Sequence, residues 1–233
     1  MKSIILLFFF SLNTQLFAAV APNTRPTETL AGLRLPLAQR LQIISERGQK
    51  GFSELSSIAF DESQDLETRW RAITTLGRVH ASASRSLLEK ALKSPDWYMR
   101  NAALIVAPYN NRSWALNWSR ILLHDPALVV RTAAVQSLRQ LNATEAEGLL
   151  WEKLYSSENY RSGESLWIRK HILAALLQFS KPGSEGRFIS VLNDKDSSLH
   201  PIAMQALEKI TRRKFADRTE WQTWHAQTSK KKI

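Results

Sequence analysis

The 233-residue chain contains no cysteine. That excludes disulfides, thiolate metal sites, a cysteine nucleophile and a lipid-modified N-terminal cysteine. It leaves the compartment open, because a well-packed helical array needs no covalent staples. No apolar run reaches the roughly 20 residues that a bilayer-spanning helix requires. HExxH, GxSxG, P-loop and GxGxxG motifs are all missing, and the five histidines are scattered without paired ligand spacing. Metal, nucleophile-elbow and nucleotide chemistry therefore find no support, and no catalytic, cofactor-binding or metal-ligating residue is assigned. Low-complexity tracts that would signal wholesale disorder are missing too.

What is present, first, is positive charge. Lys+Arg number 32 against 21 Asp+Glu, a formal net charge of +11 with a pI near 10.1. Such a surplus draws a protein to nucleic acid, anionic lipid, acidic polysaccharide or an acidic protein, without choosing among them. Composition is otherwise that of a folded soluble protein, at 44% hydrophobic and 23% charged. The opening segment, MKSIILLFFFSLNTQLFAA, has one Lys, a short apolar core and small residues after it. It reads as a secretory signal peptide over 1–18, cleaved after Ala18. Losing Lys2 leaves 31 basic against 21 acidic residues, still about +10. The mature chain is expected to be exported, periplasmic or secreted, with no transmembrane segment. Residues 19–35, with two Pro and no periodicity in Val20–Leu30, are expected to form a flexible leader.

The rest is organised by a repeat. In VVRTAAVQSLRQL, counting from Arg131, Ala134, Val135, Leu138 and Leu141 fall at +3, +4, +7 and +10, one stripe of a helix. The same register recurs with anchors at Arg69, Arg100, Arg131, Arg169 and His200, at gaps of 31, 31, 38 and 31. Position +3 holds Ala72, Ala103, Ala134, Ile172 and Ala203; position +7 holds Leu76, Ala107, Leu138, Leu176 and Leu207. Asn110 interrupts the stripe at +10, and Pro108 before it should end that helix early. Leu92, Leu123 and Leu192, eight residues before their anchors, close the preceding helices. A stripe of this kind cannot be buried by one helix alone, so the pattern predicts a stacked array of helix pairs.

These residues carry a resemblance. A helix pair, a turn with Asp, then Arg with Ala at +3 and Leu at +7, resembles the HEAT repeat, in particular the short HEAT-like and phycobilin lyase-type repeats. The resemblance implies an all-α, right-handed α-solenoid of about five helix pairs with capping helices at both ends, and a binding role. The array is placed at 36–211, with Pro36–Gly48 as the N-terminal cap. Residues 212–233 are expected to form a C-terminal capping helix and a basic tail. That segment resembles a closing motif of Ile-Thr, Phe and Trp-x-x-Trp found after such repeats in secreted bacterial proteins. Arg212 stands where that motif commonly has Gly.

The anchoring Arg is expected to bond turn carbonyls or an Asp such as Asp96 or Asp125. Contact residues are expected elsewhere. The seven extra residues between Arg131 and Arg169 fall in the loop SSENYRSGES, which offers Tyr160 and Arg161. Trp70 and Trp97 flank anchors and are expected to be partly exposed. Arg71, Arg78, Arg139 and Lys170 lie mostly off the apolar stripes of second helices, which in HEAT-like arrays line the concave side. The function expected is a non-catalytic, exported scaffold that binds a protein partner, or an anionic envelope polymer or lipid surface, through that face. The alternative is a nucleic-acid-binding or DNA glycosylase-like HEAT protein, a reading that export opposes.

Overall fold

The computed structural model describes residues 27–79 and 83–230. The signal peptide expected at 1–18, the start of the leader, and His80 lie outside the described residues. The described chain is an all-α solenoid interrupted by one two-stranded hairpin. Its helices are α1 (Glu28–Gly32), α2 (Leu37–Phe60), α3 (Leu66–Val79), α4 (Arg85–Leu92), α5 (Trp97–Val106) and α6 (Arg112–Leu122). They continue with α7 (Leu128–Gln140), α8 (Glu147–Leu154), α9 (Ile168–Phe179), α10 (Glu185–Val191), α11 (His200–Thr211) and α12 (Arg218–Lys230). The second helices form a row, α3 against α5, α5 against α7, α7 against α9 and α9 against α11. Each of α4, α6, α8 and α10 packs on the second helix of its own pair.

The row is possible because the +3 column is small. Ala72, Ala103, Ala134 and Ala203 are completely buried, as is Ile172. Between α3 and α5 the approach is close: a Cβ on Gly77 would lie 2.3 Å from Val106 Cγ2. Leu76, Leu138 and Leu176 at +7 are buried, and truncating such a leucine to alanine typically costs about 2–5 kcal/mol. Pro108 acts as the sequence predicts. Helix α5 stops at Val106 and a 3₁₀ turn, Ala107–Tyr109, takes its place. Gly48, at φ 53° and ψ −134°, breaks α2 into a capping segment and the first helix of the first pair. Only a residue without Cβ takes that conformation at little cost.

The anchor column ties the pairs together. Arg100 binds Asp125 of the next turn through Nε (2.6 Å) and Nη2 (2.9 Å) and donates Nη1 to the carbonyls of Ser94 and Pro95 behind it. Arg131 donates back to the Asp125 and Pro126 carbonyls and forward to Glu158 O and Asn159 Oδ1. Arg169 donates back to Leu154 O (2.8 Å) and forward to both oxygens of Asp194. Arg69 reaches Ala59 O behind it and Tyr98 and Asp96 ahead. Each Arg is thus a bolt through two successive turns. Among the described residues His200 makes the backward bond, to Asp194 O at 2.9 Å, and no forward one.

Both ends are capped, and both differ in detail from the expectation. The leader is not flexible to residue 35: α1 packs on α2, Thr29 is buried and donates to Glu54 (2.6 Å), and Arg47 pairs with Glu28 and Glu54. Polar side chains spaced far along the chain supply order that local periodicity does not show. At the other end Trp221 is buried against Phe215 (4.7 Å between centroids) and Trp224 (5.7 Å). Arg212 keeps the turn by taking the left-handed conformation itself, φ 56°. Helix α12 runs to Lys230, into the segment expected to form the basic tail.

Candidate binding groove beside the hairpin

The extra seven residues build a small element of their own. After the 3₁₀ turn Ser157–Asn159, strands β1 (Tyr160–Arg161) and β2 (Glu164–Ser165) pair antiparallel. The two residues between them, Ser162 at φ 53° and Gly163 at φ 84°, supply the paired positive φ values of a type I′ hairpin turn. The base of the hairpin is held by Asn159. Its amide donates to Lys153 O (2.7 Å), its carbonyl accepts from Arg131 Nε (3.3 Å), and its backbone carbonyl accepts from Leu166 N–H (2.9 Å). Asn159 occupies the place of the turn aspartate in the other repeats. An amide can accept and donate there at once; an ionised carboxylate cannot donate.

Between the hairpin and the Asp194–Ser198 turn lies an open groove of about 650 Å³. Its floor is Arg169, almost wholly buried, with the Tyr160 ring 4.6 Å and the Tyr155 ring 5.5 Å from the guanidinium carbon. Burial works against the Arg169 charge, but the hydrogen bonds and charge of Asp194 outweigh it and raise its pKa. For Asp194, burial opposes ionisation while the Arg169 bonds and the Asp196 N–H favour it more, so its pKa falls below the usual carboxylate value. Asp196 is lowered likewise: burial resists, and donors from Ser165 and Ser198 prevail. Burial pushes both tyrosine hydroxyls up. The walls carry Trp167, 47% exposed and edge-on to His171 at 5.4 Å, with Lys170 and Lys195 exposed beside it. No ion pair holds either lysine among the described residues.

The structure brings together some of the residues singled out from sequence and separates the rest. Tyr160 and Lys170 line the groove, and Arg161 stands on the hairpin opposite Glu164. Trp70, on α3, is half-buried and donates its Nε1 to Asn101 (3.0 Å). Trp97 is 45% exposed at the start of α5. Arg71 pairs with Glu67 and donates to Leu33 O (2.9 Å). Arg78 lies over the Tyr109 ring, 3.6 Å from its centroid. Arg139 is exposed and reaches Gln178 (3.3 Å). Lys209 bonds the Leu177 and Gln178 carbonyls. These cations largely join one repeat to the next. The exposed residues of α5 and α7 include Trp97, Ile105 and Gln136, with Arg139 as the exposed charge among them. Sequence reasoning passed over Trp167 and Lys195. The Ser-Gly pair within YRSGES was the signal for a two-residue hairpin. Nothing local announces that Asp194–Ser198 faces it.

No family model matches the chain, and no curated protein matches it. Among solved structures it is similar to the crystal structure of an engineered protein, with a TM-score of 0.53 and 18% identity over 79% of this chain and 87% of that one. Weaker similarity, TM-score 0.45 and 20% identity over 83% of this chain and 79% of that one, extends to the complex of CpcE and CpcF of phycocyanin lyase from Nostoc sp. PCC7120. The likeness to the engineered protein concerns the fold alone.

Proposed function

We propose that this protein is an exported, non-catalytic scaffold of HEAT-like repeats that binds a protein partner, with the hairpin groove as the centre of contact. The observation that carries this reading is the groove itself: an exposed Trp and two lysines without counter-ions, grouped at the two-stranded sheet, the only one among the described residues. Trp is a frequent anchor in protein interfaces. Irregular segments on a rigid frame commonly carry contacts. A binding role also fits the acids of the groove. Asp194 and Asp196 are committed to Arg169 and to serine donors, leaving neither as a poised general acid or base. Arg139 and Trp97, exposed on the second helices, extend the footprint beyond the groove.

The test is photo-crosslinking of the exported protein in its native envelope extract. A photoreactive residue replaces Trp167, with exposed Ser53 on α2 as the control position. A discrete protein adduct at 167, absent at 53 and weakened by Lys170→Glu with Lys195→Glu, is the expected result. No adduct at 167, or the same adducts at both positions, overturns the protein-partner reading. A polysaccharide or lipid adduct at 167 would replace it with an anionic envelope ligand. N-terminal sequencing of the same preparation is expected to begin at Ala19; an intact Met1 would remove export.

A further inference from the structure

The outer edge of β2 faces the groove. In a two-residue hairpin the residues flanking the turn, Arg161 and Glu164, exchange backbone hydrogen bonds, and the next such pair is Asn159 with Leu166. Ser165 lies between them on β2, so its N–H and C=O point away from β1. Neither has a backbone or side-chain partner among the described residues. Glu164, Ser165 and Leu166 all line the groove, whereas β1 contributes only Tyr160. An unpaired strand edge is a template for another strand. The adjoining charges select what that strand carries. Asp194 is bound by Arg169, Asp196 accepts from Ser198, and Glu164 stands opposite Arg161. Lys170 and Lys195, both exposed in the groove lining, have no ion-pair partner among the described residues.

We infer that the partner is bound as an extended, acidic peptide segment that adds to β2 as a third strand at Ser165, placing a carboxylate on Lys170 and Lys195 and an apolar side chain on Trp167. This rests on the reading of the groove as a protein-binding site. Strand addition takes its affinity from main-chain hydrogen bonds and its specificity from alternate side chains. The carboxylate and the apolar group therefore belong at positions i and i+2 of the bound segment, on one face of the added strand.

The mature protein is used to select from a displayed library of short linear peptides. Enriched sequences are expected to alternate an acid with an apolar residue, and their binding should weaken as salt rises. Ser165→Pro removes the edge N–H and should weaken those peptides about tenfold or more. Ser165→Ala, which loses the side-chain bond from Arg169 but keeps the N–H, should retain most of the affinity. On the unmodified protein, the bound peptide should slow amide exchange at Ser165, a reading that stands even if the proline variant does not fold. Enriched peptides without acids, no enrichment above the Lys170→Glu, Lys195→Glu variant, or Ser165 exchange unchanged on binding would each overturn strand addition. If the Trp167 adduct forms but survives Ser165→Pro, the inference fails and the protein-partner reading stands. If no adduct forms, both fall.

Discussion

Two junctions in the same array are built from the same bolt and end differently. At the junction between the second and third pairs, Arg100 meets Asp125 with two charge-assisted bonds, and the chain turns directly into α7. At the next, Arg131 meets a neutral Asn159 at 3.3 Å and the Glu158 carbonyl at 2.8 Å, and the chain leaves the turn to make a hairpin before α9. The first junction is closed: its acid is satisfied and buried. The second trades an ion pair for an amide that can bond in both directions, and that exchange anchors an element able to face solvent. Regularity in this protein serves the stack. The departure from it makes the candidate site.

That comparison can be broken at its strongest point first. Arg100→Ala leaves the buried Asp125 carboxylate without its partner and should cost about 3–5 kcal/mol, read from chemical denaturation. A loss well under that at Arg100 would mean the closed junction is held by packing and not by the bolt. Next, Asn159→Asp restores the residue of the other turns but removes the donor to Lys153 O. A loss of about 1–3 kcal/mol is expected, with the hairpin amides exchanging faster than those of α7. If the variant is as stable as the parent, the amide's two-way bonding is not what holds the hairpin base.

The third test uses pH at the Arg169–Asp194 pair under the groove. The folded-state pKa of Asp194 is depressed, so its contribution to stability is complete above its unfolded value of about 3.9 and fades as pH falls through the lower folded value. Asp194→Asn should therefore be destabilised against the parent near neutrality, with the gap in denaturation midpoint narrowing below about pH 4. A gap independent of pH would separate Asp194 from the ion pair. The smallest effect is expected at the hairpin turn. Ser162→Asn, better suited to positive φ, should stabilise by a few tenths of a kcal/mol, up to about 1, and leave the Arg100–Asp125 junction untouched. Amide exchange that slows only over 159–166 would confirm that the hairpin is adjusted separately from the stack.

The array itself was legible from the residues because its cause is local and periodic. Ala at +3 and Leu at +7 state both a helix face and how near the next helix can come, and five copies of one register leave little choice of packing. Arg131 could be named as a structural bolt, and Pro108 and Gly48 as stops, for the same reason: each acts on its own backbone or on a turn a few residues away. Trp221 and Trp224 could be read as a lid, since a stack must close its open end. The groove was not legible. Tyr160 and Lys170 could be picked out, but Lys195 and Asp194 reach the hairpin only because the fifth pair stacks on the fourth. The leader differed for a related reason, its order depending on Thr29 meeting Glu54 across 25 positions. Which charges are free was likewise decided by the fold. Arg71 and Lys209 look equally available in the chain, yet one meets Glu67 and the other a neighbour's helix-end carbonyls. Periodicity determines what a helix buries; only stacking decides which side chains meet at the groove, and there it brings Lys170 and Lys195 beside the edge of β2.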